Sequence, residues 1–139
     1  MKLLPYYLED EGAKYSGSIS LAENKNFLSE LDAELLCEYM SSGVVIDEWL
    51  SNVKDALTGV LEVPSKTWSD GVYVWDSLHI HYVRRYRAKL PKEFIEYVRS
   101  CVRSGKRAEG LDKDKLLNDF DKVLRDLASV DESYYDGSY

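Results

Sequence analysis

The chain contains little cysteine, proline and glycine. It has two cysteines, three prolines and eight glycines in 139 residues. This composition excludes collagen-like and low-complexity chains, and an apolar share of 45% is too high for a disordered chain. A disulfide framework needs more cysteines at closer spacing, so Cys37 and Cys101 are expected to be reduced packing residues.

Long apolar stretches are missing too. No stretch reaches the roughly 20 apolar residues that a membrane-spanning helix needs. The segment 1–7 is followed directly by Glu9, Asp10 and Glu11, and it lacks the longer apolar core and cleavage site of a secretory signal. We therefore expect a cytoplasmic protein that does not bind a membrane.

Motifs of known catalytic and cofactor sites are absent from the sequence. It has no phosphate-binding glycine loop, dinucleotide fingerprint or Gly-x-Ser-x-Gly elbow. His79 and His81 would lie about 200° apart on a helix and cannot chelate one ion. We expect no enzyme activity, cofactor or metal ion, and we expect both histidines to be structural or partly exposed. Catalysis by either histidine would need a deep pocket with a carboxylate beside it.

Charge is abundant and unevenly distributed, with 25 acidic and 18 basic side chains and a net charge of −7. Residues 1–80 hold 14 acids and 5 bases, residues 81–110 hold 9 bases and 3 acids, and residues 111–139 hold 8 acids and 4 bases. An exposed acidic face formed by the first 80 residues would attract a basic partner. The alternative is that the three segments offset one another on one surface.

Hydrophobic periodicity predicts four helices. Ser29 is expected to cap the first helix, which runs to Met40, and Gly43 is expected to adopt the left-handed conformation after it. The other helices are expected from Ser77 to Arg87 after an Asp76 cap, from Pro91 to Gly105, and from Leu111 to about Ser129.

Strand signals fall in the middle of the chain. Residues 44–48 favour a short strand, and the chain after them could be irregular or helical because its apolar residues keep a 3.6-residue spacing. Residues 60–63 resume a strand up to Pro64, and Asp70-Gly71 predicts a hairpin turn within 67–75.

Together these elements predict a single α+β domain over 1–130, with a small antiparallel sheet from the middle of the chain packed against about four helices. A flexible acidic tail is expected over 131–139.

The segment 66–98 resembles small bacterial immunity proteins of polymorphic toxins and contact-dependent growth inhibition systems. The resemblance lies in the run DGVYVWD at 70–76, in Leu78, Tyr82-Val83 and Tyr86, and in LPKEF at 90–94. Tyr73 stands where that pattern often has tryptophan. The resemblance implies a non-catalytic protein that binds and neutralises a cognate toxin domain. Four large aromatic residues of this segment are expected to form its core: Trp75, Tyr82, Tyr86 and Phe94.

We expect the partner-binding surface to lie outside this aromatic core, among acids and aromatics of the segment 47–76. Acidic inhibitors suit toxins that grip nucleic-acid phosphates, because such toxins carry a basic cleft. The predicted partner is therefore a basic, nuclease-like toxin domain, and Trp49 is the predicted anchor. The residues of this predicted surface are Asp47, Glu48, Trp49, Asp55, Asp70 and Asp76.

A nucleic-acid or regulatory binding module is the alternative function. The segment 84–107 is rich in arginine and lysine, and Tyr82, Tyr86 and Tyr97 lie within or beside it, as in proteins that stack bases on aromatic rings. A sequence pI near 4.9 argues against direct nucleic-acid binding, because nucleic-acid modules usually carry a positive surplus.

Overall fold

The computed structural model describes residues 1–11, 13, 18–106, 110–127, 132–137 and 139, and it confirms the predicted α+β class. Four strands and four α-helices are found in these residues, with short 3₁₀ turns at Ala22–Asn24 and Glu132–Tyr134. In chain order the elements are β1 (Lys2–Leu3), α1 (Glu30–Ser41), β2 (Val44–Lys54), β3 (Leu61–Ser69), β4 (Tyr73–Asp76), α2 (Ser77–Tyr86), α3 (Lys92–Arg103) and α4 (Lys113–Leu127).

The strands form one sheet in the order β1-β4-β3-β2. The β2–β3 and β3–β4 pairs are antiparallel, whereas β1 pairs with β4 in parallel. The predicted Asp70-Gly71 turn joins β3 to β4, and Gly71 has a φ of 91°, which favours glycine. The parallel β1 was not predicted, because two residues carry no readable pattern.

Strand β2 is longer than expected and contains no helix. Its register with β3 shifts between Glu48 and Asn52, so the inside–outside alternation of a regular strand is broken there. This irregularity explains why the apolar spacing of residues 46–57 resembled that of a helix. The expectation that the next strand ends at Pro64 is wrong, because β3 continues through Pro64 to Ser69 beside this irregularity.

The helices lie where the sequence predicts them, within a few residues. Ser29 Oγ accepts the backbone N–H of Asp32 at 3.1 Å, as a cap should. Pro91 precedes α3 and does not occupy its first turn. The predicted left-handed conformation of Gly43 is wrong. Glycine is required there for space, because a Cβ would lie 2.7 Å from Cζ2 of Trp75.

Helices cover both faces of the sheet. Tyr73 and Trp75 belong to the main core with α1, α2 and α3, whereas Val74 packs with Leu3 and Val123 of α4 on the other face. This division is the alternation of side chains that a β-strand produces. Cys101 is buried and Cys37 is half-buried, and both are free thiols.

Residues 132–137 pack against the sheet, although the sequence predicted a loose tail over 131–139. Tyr135 bridges to Leu3, and the backbone N–H of Asp136 donates to the carbonyl of Leu3 at 2.9 Å. Asp136 is buried. Residues 128–131 and 138, which include the predicted end of the last helix at Ser129, lie outside the described residues.

Candidate functional site

A cleft of about 440 Å³ opens between the N-terminal segment, the β2–β3 hairpin and the start of α2. Three of the six predicted surface residues line it: Trp49, Asp55 and Asp76. Trp49 is contributed by β2, and Asp76 lies at the junction of β4 and α2. The β2–β3 hairpin and the β4–α2 junction together bring these three residues to one cleft, which Asp70 does not line.

Asp76 is half-buried, and only neutral groups hold its carboxylate. The hydroxyl of Tyr6 donates to Oδ2, and the hydroxyl of Thr67 donates to Oδ1 at 3.2 Å. Burial raises the pKa of Asp76 to about 7. No cationic side chain among the described residues forms an ion pair with it.

His79 is fixed as a neutral structural residue. Its Nδ1 accepts the backbone N–H of Asp76 at 2.9 Å, so its Nε2 carries the proton and donates to the carbonyl of Pro5 at 3.1 Å. Burial lowers the pKa of His79 to about 4, and the bond to Pro5 only partly opposes this effect. Both ring nitrogens are thus engaged with the backbone, and neither is free for proton transfer.

Asp55 is fully buried at the turn of the β2–β3 hairpin. Its Oδ1 accepts the backbone N–H groups of Leu57 and Thr58, and its Oδ2 accepts Nε2 of His81 and the hydroxyl of Tyr86. Burial alone would raise the pKa of Asp55, but these hydrogen bonds lower it to about 2. Asp55 is therefore ionised, and it clamps the hairpin turn to α2.

The cluster beside Asp55 is the only group among the described residues whose spacing could suit a metal ion. One ligand atom each of Asp55, Glu62 and His81 lies within 4.8 Å of the others. Arg85 occupies this cluster, with Nη1 2.5 Å from Glu62 and 3.4 Å from Asp55. The guanidinium already pairs with both carboxylates, so the arrangement is an ion-pair network. His81 does not line the cleft, so a molecule bound in the cleft would not contact it.

Asp70 lies at the other end of the hairpin and is buried. Its Oδ2 accepts the hydroxyls of Tyr39 at 2.6 Å and Tyr97 at 2.7 Å, and its Oδ1 accepts the backbone N–H groups of Val72 and Tyr73. Burial, reinforced by the bond to Asp70, raises the pKa of both tyrosines. Asp70 therefore holds the β3–β4 turn to α1 and α3.

The remaining predicted residues lie together on β2, which is an edge strand. Glu48 and Trp49 are exposed and Asp47 is half-buried, with Trp49 keeping 68% of its surface. Lys66 Nζ lies 3.9 Å from Glu48. Leu50, which is not among the predicted surface residues, is fully exposed next to Trp49. The register irregularity after Glu48 places both apolar side chains outside the core, and no sequence signal marks it.

Among the described residues, two cationic side chains of the basic segment 84–107 form ion pairs within the protein. Arg85 pairs with Glu62, and Arg99 pairs with Asp32 at 2.7 Å. Tyr82 is fully buried, and the hydroxyls of the other two tyrosines of this segment are bound to Asp55 and Asp70. Residues 107–109, including Arg107, lie outside the described residues.

No protein-family model matches the sequence, and neither a curated protein nor a solved structure matches the chain. Within the described residues, no helix has the length and apolar character needed to cross a membrane.

Proposed function

We propose that this protein is a cytoplasmic immunity protein that binds one cognate toxin domain and blocks its active site or substrate groove without turnover. The observation that carries the proposal is the exposed pair Trp49-Leu50, flanked by Asp47 and Glu48 on the edge strand β2. We call these four residues the β2 patch.

The β2 patch has the composition of an interaction surface. Soluble proteins seldom expose adjacent large apolar side chains, and tryptophan is enriched among residues that anchor interfaces. An edge strand also presents backbone N–H and C=O groups that a partner strand can pair with. Among the described residues, no strand pairs with the outer side of β2. These features support docking of a partner along β2.

The charge of this region favours a basic partner. Acids outnumber bases by 14 to 5 in residues 1–80, which include β2 and the N-terminal wall of the cleft. A toxin that cleaves nucleic acid needs a basic groove for phosphates, and an acidic surface would occupy that groove. The proposed partner is therefore a basic, nuclease-like toxin domain.

The resemblance over 66–98 and the β2 patch have separate roles in this proposal. Trp75, Tyr82 and Phe94, which carry much of the resemblance, are fully buried, as expected for core residues. Tyr86 is half-buried, with its hydroxyl on Asp55. These four aromatic residues stabilise the fold, and the partner surface is formed mainly by other residues. We restrict that surface to the β2 patch and Asp76, because Asp55 and Asp70 are buried and bound internally.

Co-expression with the toxin domain encoded beside this gene tests the proposal. We expect a one-to-one complex that survives nuclease treatment, and we expect cells that produce the chain to tolerate the toxin domain. Failure to protect cells from any neighbouring toxin, or turnover of a substrate by the isolated chain, would overturn it. Salt-sensitive retention of the chain alone on heparin would support the nucleic-acid alternative.

A further inference from the structure

The cleft beside the β2 patch is large enough for a long side chain of a partner. Its volume is about 440 Å³, and Trp49, Pro64 and Leu78 provide apolar wall. Five carboxylates and two ammonium groups line it. This combination of apolar wall and net negative charge suits a group with an alkyl stem and a cationic head.

All five carboxylates have partners within the protein. Glu9 accepts the backbone N–H groups of Leu21 and Ala22, and Glu11 lies 4.0 Å from Lys54. Asp10 accepts the backbone N–H of Tyr7 and the hydroxyl of Tyr82, and Asp55 belongs to the network with His81. Glu11 and Asp55 have a cationic partner each, Lys54 and Arg85, whereas Glu9 and Asp10 are held by neutral groups.

Among the described residues, Asp76, like Glu9 and Asp10, is held by neutral groups alone: two hydroxyls and, as the cap of α2, the backbone N–H of His79. Asp76 differs from Asp10 because it is half-buried and not buried, and it differs from Glu9 because burial raises its pKa whereas hydrogen bonds lower the pKa of Glu9. The nearest histidine, His79, is held neutral by its two backbone bonds. An ionised carboxylate in such a buried position is unfavourable unless a cation compensates it. Lys66 also lines the cleft, but its ammonium group lies beside Glu48. Asp76 thus lacks a counter-ion inside a cavity that has space for one.

We propose that this cleft receives one lysine or arginine side chain of the partner protein, with Asp76 as its counter-ion. This inference rests on the proposed function and specifies how the partner is recognised. The alkyl stem of the inserted residue packs on the apolar wall, and the cationic head donates to Asp76. The ring of Trp49 adds a cation–π contact at the mouth of the cleft.

The test is an NMR titration of the full chain with Nα-acetyl-arginine amide and Nα-acetyl-lysine amide. The neutral Nα-acetyl-citrulline amide is the matched control ligand. We expect the two cationic probes to shift the amide signals of Thr67 and Ser77 and the indole N–H signal of Trp49. The carboxyl carbon of Asp76 reports the same contact in the unsubstituted protein.

Asp76→Asn is the decisive variant, because asparagine caps a helix as well as aspartate does. We expect it to weaken binding of the cationic probes about tenfold or more, as loss of a charged hydrogen bond does. Asp119→Asn removes an exposed carboxylate on α4, outside the cleft, and we expect it to leave the titration unchanged.

The outcomes separate this inference from the proposed function. Equal shifts with the citrulline probe, no shift of the Asp76 carboxyl carbon, or unchanged binding by Asp76→Asn would overturn the inference, even if the chain protects cells. If the cationic probes bind at Asp76 but the chain does not protect cells from the toxin, the cleft is still a cation site and the immunity function is overturned. Spermidine could also bind far more tightly than either probe while Asp76→Asn binds the toxin domain normally. That result would assign the cleft to a free polyamine and overturn the assignment to a partner side chain.

Discussion

Nε2 of His81 donates a hydrogen bond to the buried carboxylate of Asp55 at 2.8 Å, and this contact joins the turn of the β2–β3 hairpin to α2. Tyr86, one turn further along α2, donates to the same oxygen. The far end of the hairpin is held in the same way, by Tyr39 and Tyr97 on Asp70. Two buried aspartates therefore fix the hairpin at both ends.

The first prediction concerns acid unfolding and Asp55. Its pKa is lowered from 3.8 to about 2 in the folded protein, so its stabilising effect is complete above pH 4 and is lost as the pH falls through 2. This effect amounts to about 2 kcal/mol. We expect Asp55→Asn to lower the free energy of unfolding at pH 7 and to flatten its fall below pH 4. Urea titrations between pH 7 and pH 2 measure both changes, with exposed Asp119→Asn as the control.

The second prediction concerns Trp49. Because its side chain is 68% exposed, we expect Trp49→Ala to change the free energy of unfolding by less than about 0.5 kcal/mol. We expect it to weaken binding of the toxin domain by about 2 kcal/mol or more, which is about 30-fold, by calorimetry. Leu31→Ala removes an apolar side chain that is 79% exposed on α1 and should bind normally. Equal effects of the two substitutions would contradict the position of the β2 patch.

The third prediction concerns the opposing pH effects of Asp76 and His79. Burial raises the pKa of Asp76 from 3.8 to about 7, so its contribution to stability is lost as the pH rises through 7. Burial lowers the pKa of His79 from 6.5 to about 4, so its contribution is lost as the pH falls through 4. Between pH 4 and 6.5 the two effects act in opposite directions.

Asp76→Asn removes one of these effects and exposes the other. We expect its free energy of unfolding to rise with pH by up to about 1.4 kcal/mol per unit between pH 4 and 6.5. The unsubstituted chain should show a much shallower dependence over this range. Chemical denaturation at half-unit pH steps measures the difference. The same pH dependence in both proteins would show that Asp76 is ionised throughout.

The fourth prediction concerns Asp70, which belongs to the predicted partner surface but is buried. We expect Asp70→Ala to lower the free energy of unfolding by about 3 kcal/mol, because two tyrosine hydroxyls and two backbone N–H groups lose their acceptor. Tyr97→Phe removes one of these bonds and should cost less. Affinity for the toxin domain, measured on the folded fraction, should be unchanged. Reduced affinity at unchanged stability would place Asp70 at the interface.

The fifth prediction concerns the space at Gly43. A methyl group there would meet Cζ2 of Trp75 at 2.7 Å and the backbone oxygens of Met40 and Ser69 at 3.3 Å. We expect Gly43→Ala to lower the free energy of unfolding by about 1–3 kcal/mol, as overpacking does. Ser41→Ala, at an exposed position two residues earlier, should change it by less than about 0.5 kcal/mol. Thermal and urea denaturation compare the two variants.

Local signals were sufficient to predict much of the fold. The caps at Ser29 and Asp76 and the turn at Asp70-Gly71 act through neighbouring residues, so the sequence places α1, α2 and the β3–β4 hairpin correctly. The parallel pairing of β1 with β4 joins residues about 70 positions apart, and two residues of strand leave no periodicity. The length of β2 was missed because its register irregularity breaks the period of two.

The candidate site was predicted only in part, for a different reason. Acidic residues are usually solvated, so Asp55 and Asp70 were expected at the surface. Their hydroxyl, imidazole and guanidinium partners lie 26 to 31 positions away in the chain, and no local pattern reveals such pairing. Trp49 was predicted because residues that anchor interfaces are often aromatic and it directly follows two acids. The exposure of Leu50 follows from the register irregularity alone.

The clamping of the hairpin at both ends has a thermodynamic consequence for association. A surface segment that becomes ordered only on contact loses conformational entropy at that moment, and this loss weakens the complex. Here Asp55 and Asp70 have already immobilised the strand that carries Trp49, so that loss occurs when the chain folds and not when it docks.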